Sequence, residues 1–102
     1  MKIALDYDRT YDKAPEFWDD FIDLATDYGH EVRIVTARNP DLDNIDDDVY
    51  VPIIYCDGVA KRFVCHHFND WDPDIWIDDK PESVDHNSTA TKEQLAEWRK
   101  NR

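Results

Sequence analysis

The stretch Lys2-Ile-Ala-Leu-Asp-Tyr-Asp-Arg-Thr10 decides how the chain is read. A short apolar run, Ile3 to Leu5, stops on Asp6, and a second carboxylate follows at Asp8. Apolar runs of this length bounded by polar residues mark a buried strand. A strand leaving a core gains nothing by ending in two like charges, because each carboxylate repels the other and resists losing its water. The pair asks for a cation or a reacting group between its members.

The same pattern returns near residue 75, where Asp74-Ile-Trp-Ile-Asp78 reads as a strand that stops on Asp78 and Asp79. Between the two, Ala14 to Tyr28 carries Phe17, Trp18, Phe21, Ile22, Leu24 and Ala25 at helical spacing, with Pro15 suited to a first turn and Gly29 to the C-terminal cap. Glu31 to Thr36 is a β-branched strand closed by Thr36, Ala37, Arg38 and the turn signal Asn39-Pro40. Asp41 to Asp48 is acidic and reads as briefly helical, and Val51 to Tyr55 as a strand that Pro52 assigns to a sheet edge. Gly58 is expected to open a helix running to about Phe68, and Thr91 to Lys100 reads as a last helix, with Thr91 capping and Gln94 three residues on.

Strands alternating with helices predict an α/β fold: a three-layer α/β/α, Rossmann-like core with a parallel sheet of about four strands, one domain over 1–102. In such sheets ligands bind at the carboxyl ends of the strands. Asp6, Asp8, Thr36, Asp78 and Asp79 all fall at such ends and are expected to converge on one pocket.

Composition narrows the partners. The chain has 102 residues, a net charge of −12 and 41% hydrophobic residues, enough for a modest core. With pI near 4.4, binding of nucleic acid through a basic surface is not expected, since such binding rests on Lys and Arg displacing counterions. No run approaches the ~20 apolar residues of a membrane span, and no leader pattern opens the chain, so a cytoplasmic location is expected. Cys56 and Cys65 stand outside any CxxC pair and are expected to be reduced.

Taken together, these motifs resemble the haloacid dehalogenase-like superfamily of aspartate-nucleophile phosphohydrolases. The resemblance rests on Ile3-Ala-Leu-Asp6-Tyr-Asp8-Arg-Thr10, on Ile34-Val-Thr36, on Lys61 in Gly58-Val-Ala-Lys61-Arg62, and on Ile75-Trp-Ile-Asp78-Asp79, in the superfamily's order. It implies a Mg²⁺-dependent phosphomonoesterase of the phosphatase type. Asp6 would be the nucleophile, Asp8 the general acid and base, and Lys61 the fixed positive charge, with Arg62 and Lys80 the neighbouring cations that could fill that role instead. Tyr7, Thr36, Ala37 and Lys61 would bind the phosphoryl group, while Asp6, Asp78 and the backbone carbonyl of Asp8 would hold Mg²⁺ through hard oxygen ligands, with Asp79 a ligand through water or an orienting group. Arg9 stands where many members carry Gly, and either borders the pocket or points to water.

The gaps from Thr10 to Glu31 and from Arg38 to Gly58 are too short for a cap domain. The resemblance therefore implies a capless member with an open site, a large phosphorylated substrate, or closure by oligomerisation. The competing readings are a catalytically idle domain of the same fold, an acidic interaction or regulatory protein, and a receiver-like phosphoacceptor at Asp57. Cys65-His66-His67 lacks the spacing of a zinc site, and Asp41 to Asp48 lacks the central Gly and closing Glu of a calcium loop. The four tryptophans read as packing residues, and the basic tail Arg99 to Arg102 as a helix C-terminus.

Overall fold

The computed structural model describes residues 1–87. Strand β1 (Lys2–Leu5) is followed by a single turn of 3₁₀ helix (Tyr11–Lys13) and helix α1 (Pro15–Asp27). Then come β2 (Glu31–Thr36), β3 (Ile53–Tyr55), α2 (Lys61–Asn69), β4 (Ile75–Ile77) and a one-turn helix α3 (Glu82–Asp85). All four strands are parallel, in the order β3-β2-β1-β4. The expected helix over Thr91 to Lys100 lies outside the described residues, as do Trp98 and the basic tail.

Alternation along β1 sorts the core into two layers. Ile3, Leu5 and Tyr7 pack with Val32, Ile34 and Ile45 beneath Ile22 and Ala25 of α1. Ala4, one step out of phase, joins Val35, Ile54 and Cys56 against Val64 and Cys65 of α2, with Trp71 closing the edge. Period-two alternation thus gives each face of the sheet its own helix, and β1, apolar on both sides, is the buried centre. Helix α3 packs on α2.

Helix α1 begins at Pro15, and Gly29 takes φ +83° beyond its end. The amide of His30 donates to the Ala25 carbonyl and that of Gly29 to Thr26, both at 2.9 Å, so the last carbonyls of α1 are satisfied. The chain then enters β2 in register with β1, Lys2 opposite Glu31 and Leu5 opposite Ile34.

Four sequence expectations change here. The third strand is Ile53–Tyr55 rather than 51–55, because Pro52 has no amide to donate and joins the sheet only through its carbonyl, which accepts from Ile34 at 2.9 Å. It does lie at an edge. Helix α2 starts at Lys61 instead of Gly58, since Asp57 and Gly58 both take positive φ, 51° and 76°, which no α-helix accommodates. Asp41 to Asp48 forms no helix: Asp43 accepts from the Asn39 amide at 2.7 Å and Asn39 from the Asp41 amide at 2.7 Å, side chains capturing the backbone bonds a helix would need. Finally α3 was not foreseen, its single turn offering only Val84 as a buried apolar residue.

The 37–52 connection folds back on its own sheet, with Ile45 in the core and Tyr7 donating to Asp47. Among the described residues neither connection out of β1 or β2 carries a cap. No described helix is long and apolar enough to cross a membrane.

Leu5 has no exposed surface and lies in the central strand directly before Asp6. Leu5→Ala should lower unfolding free energy by about 3 kcal/mol, read from urea denaturation, with the transition still cooperative. A loss under about 1 kcal/mol would mean that β1 is not the centre of the core.

Candidate active site

The chain leaves β1 toward α1 on one face and travels outward to β2 and β3. It then returns through α2 on the other face to β4, on β1's opposite side. Strand order therefore reverses between β1 and β4, and their carboxyl ends flank the crevice where parallel sheets hold ligands. Asp6 ends β1 and Asp78 ends β4. The Asp6 amide donates to the carbonyl of Ile77, the last residue of β4, at 2.9 Å, carrying the ladder one residue past β1 and bringing Asp6 beside the end of β4, where Asp78 follows.

Alternation also decides which way each side chain points. Asp6, in phase with Ala4, faces the α2 layer, where Lys61 begins the helix. The Lys61 ammonium donates to Asp6 Oδ1 at 2.8 Å and to Asp78 Oδ2 at 2.6 Å. Its side chain is 3% exposed, against 7% for Asp6 and 4% for Asp78. Thr10 donates to Asp6 Oδ2 at 3.2 Å, the Lys80 amide to Asp78 Oδ1 at 2.9 Å, and Ser83 to Asp78 Oδ2 at 3.4 Å. Both carboxylates are thus oriented by donors on each oxygen. From α1, Trp18 donates its indole N–H to the Thr10 carbonyl at 2.9 Å and holds the loop that follows β1.

Two buried carboxylates share one ammonium, so the group has one acid more than it has base. Burial raises Asp6 to about 7, with the Lys61 charge opposing the shift. Burial works against the Lys61 charge as well, but its two aspartates outweigh this and raise its pKa above the usual lysine value.

Asp6, Asp78 and Asp79 bring a carboxylate oxygen each within 4.8 Å of one another, the one group of three or more potential metal ligands among the described residues. An all-oxygen, all-carboxylate set suits a hard divalent ion. The same three line a cavity of about 500 Å³ together with Asp8, Arg9, Asp12, Ala37, Lys61, Lys80 and Ser83.

The other expected residues divide. Asp8 reaches the cavity, but its carboxylate is held by Arg38 rather than joined to the other three: Nε donates to Oδ1 at 3.2 Å and Oδ2 at 2.9 Å, and a terminal nitrogen to Oδ1 at 2.6 Å. The side chains that could hold a metal ion are therefore those of Asp6, Asp78 and Asp79, without that of Asp8. Ala37 lines the cavity, whereas Thr36 is fully buried beneath it and accepts from the Arg38 amide at 3.2 Å. The Tyr7 side chain points into the α1 layer, so only its backbone is left for a phosphoryl group. Of the three cations considered, Lys61 occupies the centre, Lys80 lines the cavity, and Arg62 pairs with exposed Asp85 at 2.7 Å.

Arg38 is the residue sequence reasoning passed over. Its guanidinium binds Asp8, lies 4.8 Å over the Tyr7 ring and donates to the Asp43 carbonyl at 3.3 Å. Hydrogen bonding to Asp8 raises its pKa and keeps it charged. Its place two residues beyond the strand-end Thr36 puts it near the strand ends, but nothing there announces Asp8 as its partner. Thr10 closes the first motif with no role assigned to it there, and Trp18 and Ser83 are further contributors visible only in three dimensions.

The remaining candidates are outside the cavity. Asp57 lies two residues beyond the edge strand β3 and is not among the lining residues. His66 pairs with Asp72 at 2.8 Å on the surface while Cys65 is buried in the α2 layer. Both cysteines are free, and burial pushes Cys56 up to about 12 and Cys65 up to about 11.

No family model, curated protein or solved structure matches the chain.

Two outcomes follow from the shared ammonium. Lys61→Met leaves two buried carboxylates without their cation and should cost about 3 kcal/mol in urea unfolding. Adding Asp6→Asn in that background should recover at least about 1 kcal/mol, and a double variant no more stable than the single one would remove the ion pair from the account.

The pH profile has a defined sign. Folding raises Asp6 from 3.8 to about 7, so the folded protein holds a proton that the unfolded chain releases sooner. The stabilisation from that proton is complete below about pH 4 and is lost as pH rises to about 7. Wild type should therefore lose stability relative to Asp6→Asn across this interval. Parallel curves for the two proteins would show that Asp6 titrates normally.

Proposed function

We propose that the chain is a Mg²⁺-dependent phosphohydrolase acting on phosphate monoesters through Asp6, as its resemblance to the haloacid dehalogenase-like superfamily implies. The observation that carries the reading is the pair of buried carboxylates, Asp6 and Asp78, meeting at the strand-order reversal with Lys61 between them on the floor of an open cavity. A structural ion pair gives no reason for a third carboxylate, Asp79, at the same point.

Asp6 would attack phosphorus in line, forming an aspartyl-phosphate as the ester P–O bond breaks, and the leaving oxygen takes a proton from Asp8. Water then adds to phosphorus, losing a proton to Asp8, as the Asp6–phosphorus bond breaks and inorganic phosphate departs. Thr10 and Lys61 fix the direction of the Asp6 oxygens. Asp8 can act only after its carboxylate leaves Arg38, because both its oxygens accept from that guanidinium. Mg²⁺ held by Asp6, Asp78 and Asp79 would supply the positive charge that developing phosphoryl oxygens require.

Phosphate release would be measured over a panel of phosphomonoesters, from an aryl phosphate to nucleotides, sugar phosphates and phosphorylated oligonucleotides, with Mg²⁺ and with chelator. Turnover should require the metal and fall by at least about 10³-fold in Asp6→Asn. Wild type and variant equally silent on every ester would point to an idle domain or an acidic interaction protein.

A further inference from the structure

The cations near the cavity are unequally available to a substrate. Lys61 is held by Asp6 and Asp78, and Arg38 by both oxygens of Asp8. Arg33 pairs with Glu31, and Arg62 with Asp85, away from the cavity. Arg9 and Lys80 remain. Both are exposed, both line the cavity beside Asp78 and Asp79, and neither makes an ion pair with another described residue. In a chain with 24 acidic and 12 basic side chains, cations without an ion pair at this acidic cavity are not explained by local charge neutralisation among the described residues.

Two further observations concern where these residues stand. Arg9 has φ +61°, a left-handed conformation that glycine enters freely and arginine does not. The Lys80 amide donates to Asp78 Oδ1, so its position is fixed directly after the acidic pair. Charge balance leads the same way. A divalent ion and Lys61 together only match Asp6, Asp78 and Asp79, leaving nothing for an incoming dianion.

Resting on the phosphohydrolase reading, we propose that Arg9 and Lys80 form a cationic rim that takes the dianionic phosphoryl group. Lys61 orders the carboxylates, and the rim binds the substrate.

The probe is inorganic phosphate at pH 8, titrated into the full chain with and without Mg²⁺. Affinities would be set beside KM and kcat for an aryl phosphate monoester. Arg9→Gly suits the backbone it occupies, and Lys80→Gln keeps the amide that Asp78 uses, so both variants should fold. Each should weaken phosphate binding about fivefold and the pair about twenty-fold, with a smaller effect in about 0.3 M salt, and KM should follow while kcat changes less. Unchanged phosphate affinity in the double variant, or no phosphate binding by wild type, overturns the rim. Hydrolysis with an unaltered KM in the double variant removes the rim and leaves the phosphohydrolase. Rim-dependent phosphate binding without turnover of any ester supports the rim and removes the hydrolase.

Discussion

The Lys61 ammonium between Asp6 and Asp78 is the interaction on which the rest of this structure turns. It joins the first turn of α2 to the ends of β1 and β4, three segments drawn from positions far apart in the chain. Removing three charges from water is expensive, and a buried pair returns that expense only with good geometry and further hydrogen bonds. Those bonds are present, from Thr10 on one aspartate and from Lys80 and Ser83 on the other. An apolar trio of equal volume would hold the same elements together without the desolvation. The arrangement therefore contributes position rather than stability: it fixes which way two carboxylates point at the one crevice the topology opens.

A second charged contact governs the cavity from the side. Arg38 draws Asp8 away from Asp6, and Tyr7 under the guanidinium and the Asp43 carbonyl beside it hold Arg38 in turn. The 37–52 loop, anchored by Ile45 in the core and by Asp47 on Tyr7, serves as the outer wall of this contact. A loop that in a larger protein could carry a cap is here used to set the position of one aspartate. The acidic run Asp41 to Asp48 finds its use in turn formation and anchoring, with Asp43 and Asp47 both engaged.

Much of this was legible in the sequence because it follows from period and position. Apolar strands ending in aspartates, separated by a helical pattern, predict a parallel sheet and put Asp6 and Asp78 at one end of it. The phase of Ile3, Leu5 and Tyr7 against Ala4 and Asp6 contains even the direction of the Asp6 side chain and the turning away of Tyr7. What was not legible depends on pairs without a periodic signature. Asp8 and Arg38 lie thirty residues apart, and nothing in either neighbourhood announces the other. The late start of α2 depends on the backbone angles of Asp57 and Gly58, and α3 is a single turn, too short to show a repeat.

The division of labour among the cations follows from burial alone. A lysine with 3% exposure that spends two of its three N–H donors on two carboxylates has its charge already compensated, so it attracts a further anion weakly. An exposed arginine or lysine at the rim has water, not carboxylate, to give up, and its attraction for an anion is correspondingly less opposed. The most buried cation therefore orders the carboxylates at the strand ends, while the exposed ones keep their charge available at the cavity. Under the proposed rim, Arg9 and Lys80 would carry the choice of anion, from exposed positions that hold no ion pair among the described residues.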